Sequence, residues 1–205
     1  MVQVSDAELL LAWKRGHTAS GEVLFDRYYA PMTRFFANKV GSERDELVQR
    51  TFSICVEKVD RLADVESFRS FLFGIARYEL LHHYRRARHE GPELDSERDA
   101  VVDLESSPSG ILAKKQEYRA LLDALRRIPL QSQVVLEMTY WERMTAAEVA
   151  AVLRVPVGTV KSRLRRAREA LTKALLDAGT SRAAVETTMT KLEDWAADLR
   201  DVALR

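Results

Sequence analysis

The stretch TAAEVAAVLRVPVGTVKSRLRRAREALTK, residues 145–173, decides how the second half of this chain folds. It predicts two short helices joined by a tight turn. Thr145, followed three residues later by Glu148, has the pattern of a capping box at a helix start. Pro156 suits the first turn of the next helix, where a missing N–H costs nothing. Apolar residues recur along that second helix at spacings of 4, 3 and 4, which predicts one face turned toward a core: Val160, Leu164, Ala167 and Leu171.

The opposite face of the second helix is polar and cationic. Between Pro156 and Lys173 the chain has six Lys or Arg residues and one Glu. At about 100° per residue, the arc opposite the apolar stripe holds Gly158, Lys161, Ser162, Arg165 and Arg166. A helix-turn-helix places such a face in the major groove of DNA, where Arg, Lys and Ser read base edges. Arg163 and Arg168 flank the stripe and are expected to reach phosphates or to lie along the apolar surface. The alternative is a basic helix face that is only solvated. The tight turn, the capping box and the cationic face agree with one another, and together they favour DNA binding.

Composition limits the class of protein. With 205 residues, of which 46% are apolar, we expect one or two compact domains. The formal net charge of +1 hides a segregated pattern, because residues 90–110 contain seven acids and one Arg, about −6 locally. The single cysteine, Cys55, excludes an internal disulfide and fits a reducing cytosol. The chain has no apolar run near 18 residues and no signal-peptide pattern, so we expect a cytoplasmic protein without a membrane contact.

Helical periodicity extends along nearly the whole chain, and no convincing strand pattern interrupts it. The predicted fold class is all-α, with two small helical domains joined by an acidic flexible linker. The second domain ends in the helix-turn-helix, and a short C-terminal helical extension follows. The predicted boundaries are 1–90, 91–110 for the linker, 111–178 and 179–205. Fully extended, the linker would span roughly 70 Å, so the two domains could touch well-separated DNA sites.

Local signals place several helix ends. Ser5 with Glu8 is expected to cap the first helix, and Ser42 with Asp45 the third. Pro31 should kink or restart the helix between them.

Farther along, Ser67 is the expected N-cap of a long helix, and Ser181 begins the extension. The apolar positions of the extension suit either packing on the second domain or a docking face for another protein.

Four stretches together resemble a known family. They are LFDRYYAPMTRFFANKV (24–40), ELVQRTFSICVEKV (46–59), SFRSFLFGIARYELLHHYRRARH (67–89) and the segment 121–169 that contains VPVGTVKSRLRRARE. In this order they resemble a bacterial RNA polymerase sigma factor of the sigma-70 family, extracytoplasmic-function (ECF) type. The resemblance implies a first domain that binds core polymerase and melts the −10 element, and a second domain that binds the −35 element of promoter DNA.

The resemblance also implies roles for individual residues. For −35 DNA these are Gly158, Thr159, Lys161, Ser162, Arg165 and Arg166. For −10 DNA they are Arg69, Arg77, Tyr78, Arg85, Arg86 and Arg88, on a helix that interleaves cations with aromatics as single-strand binders do. For polymerase they are Glu43, Asp45, Glu46, Gln49 and Arg50.

Three positions depart from the family pattern. Tyr78 stands where the family usually has Asn; its phenol can stack on an extruded base but cannot make the same amide hydrogen bonds. Arg154 stands in the helix-turn-helix turn where the family often has Gly, so either Arg154 holds an unfavourable φ or the turn differs locally. Arg50 replaces an acid on the polymerase-binding helix and should weaken docking if polymerase presents cations. Thr51 is then a candidate phosphorylation site, because phosphate would restore negative charge; the alternative is a partly buried helix residue.

Partners and competing functions follow from the same residues. A Ser/Thr kinase or an anti-sigma protein are the expected regulators, and the acidic linker is either a soluble spacer or a nucleic-acid mimic inside polymerase.

The main rival function is a free-standing helix-turn-helix regulator, which leaves residues 24–89 unexplained. An enzyme is not expected, since the sequence has no phosphate-binding Gly loop or nucleophile–base motif. Only Glu79 and His83 share a helix face as metal ligands, and two ligands rarely make a catalytic site; no cofactor or metal is expected.

Overall fold

The computed structural model describes residues 4–62, 68–88 and 116–202, and within these ranges every regular element is helical. The predicted all-α fold class is confirmed. The first half contains α1 (Asp6–Lys14), α2 (Thr18–Ala37), α3 (Arg44–Lys58), a short 3-10 turn (Val59–Arg61) and α4 (Phe68–Arg88). The second half contains α5 (Gln116–Arg127), α6 (Leu130–Leu136), a π-helical turn (Glu137–Trp141), α7 (Ala146–Leu153), α8 (Val157–Asp177), α9 (Arg182–Thr190) and α10 (Leu192–Val202). The predicted cap at Ser67 and the predicted linker 91–110 lie outside the described residues.

The four helices of the first half pack around an aromatic and aliphatic core. Leu10 of α1 and Leu24, Met32 and Phe36 of α2 are fully buried. Gly21 allows α1 and α2 to approach closely, because a Cβ at this position would come within 2.9 Å of the Trp13 ring.

Two predicted helix boundaries, a restart at Pro31 and a cap at Ser42, are wrong. Helix α2 continues unbroken through Pro31, which forfeits one backbone hydrogen bond but is followed at once by buried Met32 and Phe35. Packing of that apolar face outweighs the local preference for a break. Helix α3 begins after Glu43, whose side chain makes no capping hydrogen bond, so Ser42 is not the N-cap.

Three other predicted helix starts are confirmed. Ser5 and Thr145 each form a complete capping box, the first with Glu8 and the second with Glu148. The Ser181 side chain accepts a hydrogen bond from the backbone N–H of Ala184. These starts depend on contacts three residues apart, which the sequence displays directly.

The C-terminal extension forms part of the second half. Val185 of α9 and Leu192 and Ala196 of α10 are buried in one apolar cluster with Trp141 and Leu171. Of the two alternatives left open by the sequence, packing on the second domain is confirmed. The extension is two helices, since the chain turns at Lys191 between α9 and α10.

The two halves pack against each other, chiefly through α4 and α7. Buried residues of α4, such as Leu72 and Phe73, share an apolar cluster with Val134 of α6 and Val149 and Val152 of α7. In this arrangement the halves lie together, and the wide separation that the linker length permits is not adopted.

Candidate nucleic-acid interface

Helices α7 and α8 form the predicted helix-turn-helix. The turn reverses the chain at Arg154, which adopts a left-handed conformation with φ 55° and ψ 46°. The N–H of Arg154 bonds to the Ala151 carbonyl, and the N–H of Val155 bonds to that of Ala150. Val149 and Leu153 of α7 pack with Val160 of α8 in the buried core, which fixes the angle between the two helices. Of the two alternatives for Arg154, an unfavourable φ and a locally different turn, the first is observed.

The N-terminal part of α8 presents a cationic surface to solvent. Lys161, Arg165 and Arg166 are exposed, and Gly158 faces open space. Arg165 is paired along the helix with Glu169, their Nη1 and Oε1 atoms lying 2.5 Å apart.

Two smaller side chains on this helix lie closer to the protein. Thr159 and Ser162 are half-buried, and the Ser162 hydroxyl donates to the Thr159 carbonyl at 2.9 Å. All six residues predicted to contact −35 DNA thus lie near the start of one helix, whose apolar stripe of Val160, Ala167 and Leu171 is buried as predicted.

Arg168 has a different environment from the other cations of α8. Its guanidinium donates to the Tyr140 hydroxyl and, at 3.3 Å, to the Met189 carbonyl, and it lies 5.7 Å from the centre of the Tyr140 ring. Arg168 thereby ties α8 to the π-helical turn and to α9. Neither expected role, a phosphate contact or a charged head group left in water above an apolar surface, describes this guanidinium, because protein groups bind it.

The cations predicted to bind −10 DNA fall into two groups along α4. Arg69 and Arg77 face the second half: Arg69 Nη1 lies 3.8 Å from Glu148 Oε1, and Arg77 Nη2 donates to Gln131 Oε1 at 3.5 Å. Tyr78 is exposed instead, with its ring stacked on that of His82 at 6.2 Å.

The remaining cations of that predicted set lie near the end of α4. Arg86 is exposed and Arg85 is partly buried, whereas the Arg88 side chain lies outside the described residues.

The residues predicted to bind polymerase lie on α3 and the turn before it. Glu43, Asp45, Glu46 and Gln49 are exposed and form an acidic end of the helix. Arg50 does not simply add a cation to this surface, because its Nε lies 3.0 Å from Oε2 of Glu79, a carboxylate that is 3% exposed. Its charge is largely offset from within the protein, which weakens the argument that Arg50 opposes docking.

An apolar patch beside this acidic end was not identified from the sequence. Val56 and Tyr29 are 50% and 57% exposed, and the Tyr29 ring stacks on Phe52 with centroids 6.5 Å apart. The signal was the i, i+4 pair of Phe52 and Val56 on the same exposed face of α3 as Gln49. Exposed aromatic and aliphatic residues beside polar ones are typical of protein interfaces.

Matches to family models identify the chain. The model described as Sigma-70 region 2 matches residues 24–90, and the model described as Sigma-70, region 4 matches residues 118–171. Together they cover more than half of the chain, in the order that the four motifs predicted. The chain belongs to the sigma-70 family of RNA polymerase sigma factors. It is a sigma factor of the ECF type, and it directs promoter-specific initiation of transcription.

Individual relatives agree with this assignment. The ECF RNA polymerase sigma factor SigL of Mycobacterium tuberculosis is 25% identical over 162 residues, which covers 78% of this chain and 90% of SigL. A solved structure of CnrH in complex with the cytosolic domain of CnrY is 25% identical, with a TM-score of 0.61 over 84% of this chain and 97% of CnrH. The sigma factor RpoE of Bartonella quintana, solved with the anti-sigma factor NepR, shares the fold at 19% identity and a TM-score of 0.57, over 75% of this chain and 95% of RpoE.

Thr51 of this sigma factor is not accessible. The residue is fully buried, and its hydroxyl donates to the Leu47 carbonyl at 2.8 Å. A kinase cannot reach this hydroxyl in the folded chain, because the side chain has no exposed surface. Burial and this hydrogen bond argue against the phosphorylation hypothesis and favour the alternative, in which Thr51 is a structural helix residue. Nearby Cys55 is also buried, and burial raises the pKa of its thiol to about 12.

The described residues contain neither a metal-binding group nor a membrane-spanning helix. Among residues 4–62, 68–88 and 116–202, no group of three or more His, Cys, Asp or Glu side chains is arranged to hold a metal ion. Glu79, one of the two candidate ligands on α4, is engaged by Arg50. None of the helices in the described part of the chain is long and apolar enough to cross a membrane.

Ion pairs join the two halves of the sigma factor. Lys39, which is fully buried after α2, donates to the Glu137 carboxylate of the π-helical turn. Arg34 approaches Glu142 at 3.4 Å, both largely buried. Burial lowers the pKa of Lys39 and raises that of Glu137, while their mutual attraction opposes both shifts. Removing one partner of such a buried ion pair leaves the other charge buried and uncompensated, which strongly destabilises the fold.

Proposed function

We propose that this sigma factor reads the −35 element with the exposed start of α8 and the −10 element with α4. The observation that carries the assignment is the cationic surface of Lys161, Arg165 and Arg166 on the second helix of a helix-turn-helix. Each well-formed bidentate contact from such a residue to a base discriminates by about 1–3 kcal/mol. Gly158, Thr159 and Ser162 complete this surface, because their small size lets the helix approach the groove.

We propose that the chain docks on core polymerase through α3. Its acidic end, Glu43, Asp45, Glu46 and Gln49, would meet cations on polymerase. The adjacent patch of Tyr29, Phe52 and Val56 would supply apolar area, which the acids alone cannot. Arg50, held by Glu79, would act at the edge of this surface.

For the −10 element we propose a division of labour on α4. Tyr78, which is exposed, would stack on an unpaired base, and the cations Arg69, Arg77, Arg85, Arg86 and Arg88 would hold the strand's phosphates. The catalytic chemistry would belong to polymerase, so the chain itself would not be an enzyme. As a subunit of polymerase it would act in the cytoplasm. By analogy with RpoE, an anti-sigma protein is a candidate regulator.

The test is run-off transcription with purified core polymerase on a library of random promoters. Initiation at selected two-element promoters would support the proposal and give the sequences of both elements. Lys161→Ala and Arg166→Ala should relax selection at the −35 element while leaving the −10 element unchanged. Lys173→Ala is the matched control, an exposed cation farther along the same helix, and should leave both elements unchanged.

One alternative predicts a different outcome of this experiment. A free-standing helix-turn-helix regulator would bind duplex DNA but would not direct core polymerase to any promoter. Absence of transcription together with sequence-selective duplex binding would therefore favour that function.

A further inference from the structure

One acid lies on the polar arc of α8 among the cations assigned to the −35 element. At about 100° per residue, Glu169 projects from the side of the helix that carries Lys161 and Arg165, away from the buried stripe. Its side chain is 59% exposed, so packing in the core does not explain its position. A carboxylate on this face repels DNA phosphates. Any role of Glu169 in DNA binding must therefore act through something other than attraction to the backbone.

The structure pairs this acid with one particular cation. Oε1 of Glu169 lies 2.5 Å from Nη1 of Arg165, which stands four residues earlier. A second cation, Lys173, stands four residues later and lines the same groove between α8 and α9. An acid that precedes its cation by four residues is the more favourable arrangement on an isolated helix. The observed pairing of Glu169 with Arg165 is therefore not the one that helix electrostatics alone favours.

This ion pair restricts how the Arg165 guanidinium is presented to a ligand. The contact uses Nη1, which leaves the edge formed by Nε and Nη2 for another acceptor. Two N–H groups on one guanidinium edge match the O6 and N7 atoms of guanine in the major groove. An arginine side chain also loses rotamer freedom when it binds. A guanidinium that Glu169 already holds loses less of that freedom when it meets a guanine.

We propose that Glu169 positions Arg165 for a guanine of the −35 element and thereby determines base selection at that position. The inference rests on the proposed function, because it requires that the start of α8 reads the −35 element. Glu169 lowers the attraction to DNA of any sequence, and it favours one base through Arg165. The pair therefore increases the ratio of specific to non-specific binding.

The test measures base preference with the holoenzyme. Run-off transcription from the random promoter library, with core polymerase and each full-length variant, reports the bases selected at every promoter position. Arg165→Ala should lose the enrichment of guanine at one −35 position, which identifies the base that this side chain contacts. Glu169→Ala should reduce guanine enrichment at the same position by roughly three- to tenfold and leave the −10 element unchanged. Unchanged enrichment in Glu169→Ala, or loss of a base other than guanine in Arg165→Ala, would overturn the inference.

Two further variants show whether Glu169 acts through Arg165. Glu169→Gln keeps an acceptor oxygen but loses the charge, so its guanine enrichment should lie between those of wild type and Glu169→Ala. Arg165→Ala combined with Glu169→Ala should select the same bases as Arg165→Ala alone. A further loss of base preference in the double variant would contradict the inference. Glu169 would then read a base directly, as a carboxylate does when it accepts from the amino group of cytosine.

Asp177 provides the matched control for charge. It is an exposed acid farther along α8 that lines the same groove, and Asp177→Asn removes one negative charge without changing the Arg165–Glu169 pair. This variant should leave base selection unchanged. Equal relaxation by Asp177→Asn would mean that net charge, and not positioning, sets the preference. An exposed ion pair contributes little to stability, so Glu169→Ala should also keep the wild-type melting temperature.

Failure of this inference and failure of the proposed function give different results. If Lys161→Ala or Arg165→Ala relaxes selection at the −35 element and Glu169→Ala does not, α8 still reads that element and only the role of Glu169 is wrong. If none of the three substitutions changes the selected −35 sequences, the assignment of α8 to that element fails.

Discussion

Arg154 shows how one residue carries a conformational cost in the helix-turn-helix. Its φ of 55° lies in the left-handed region, which costs a non-glycine residue about 1 kcal/mol. Arg154→Gly should therefore raise the free energy of unfolding by about 0.5 kcal/mol, after the added entropy of the unfolded chain is subtracted. Urea denaturation followed by circular dichroism measures the change.

A matched position should respond in the opposite direction. Arg15 also ends a helix, but its φ is −86°, where Gly offers no relief of strain. Arg15→Gly should lower the free energy of unfolding by about 0.4–1 kcal/mol. If both substitutions shift stability in the same direction, backbone conformation is not the cause.

The Arg50–Glu79 pair gives a second prediction for single residues. Arg50→Glu places a carboxylate against buried Glu79 and should lower the free energy of unfolding by about 1–3 kcal/mol. Adding Glu79→Gln should recover most of that loss, because an amide can donate to the new carboxylate. Gln49→Glu, on the neighbouring exposed position, should change stability little. Rescue measured by urea denaturation identifies the internal pair; failure of rescue would show that the Arg50–Glu79 pair does not stabilise the fold.

At the level of the elements, helices α9 and α10 pack against α8, the helix that we propose reads the −35 element. Leu192 is 1% exposed in the cluster that contains Leu171 and Leu175 of α8. Leu192→Ala should lower the free energy of unfolding by about 2–4 kcal/mol, because it leaves a cavity behind α8. Differential scanning calorimetry should show a lower melting temperature for this variant.

The neighbouring residue provides the control for this prediction. Lys191 is exposed at the turn between α9 and α10, and Lys191→Ala should change the free energy of unfolding by less than about 0.5 kcal/mol. Similar effects of the two substitutions would mean that the extension does not support the second half.

For the whole molecule, the arrangement of charge matters more than its sum. The net charge is +1, yet the cations that face solvent on α8 are concentrated at one end of the second half. Duplex binding should therefore weaken with salt, and the log–log slope reports the number of phosphates neutralised, about 0.9 per contact. Arg163→Ala, at a position expected to reach phosphate, should reduce this slope by about 1, as measured by fluorescence anisotropy across a salt series. An unchanged slope would show that Arg163 does not contact phosphate.

The amino-acid sequence by itself determined the features that depend on neighbours along the chain. Capping boxes at Ser5 and Thr145, the buried stripe of α8 and its exposed cations all follow from spacings of three or four residues. One helical turn brings such residues together whatever the rest of the molecule does. The family motifs are equally local, which is why the sequence alone identifies both family regions.

Only the tertiary structure decided which distant residues meet. Lys39 and Glu137 are 98 positions apart, and no periodicity relates them. The same holds for the Arg50–Glu79 pair and for the contact of Arg168 with the Met189 carbonyl. Burial of Thr51 and continuity of α2 through Pro31 likewise depend on what packs against each helix face. A charged or hydroxyl side chain has the same helix propensity on an exposed face as at an interface. Its role therefore depends on the surface that packs against it.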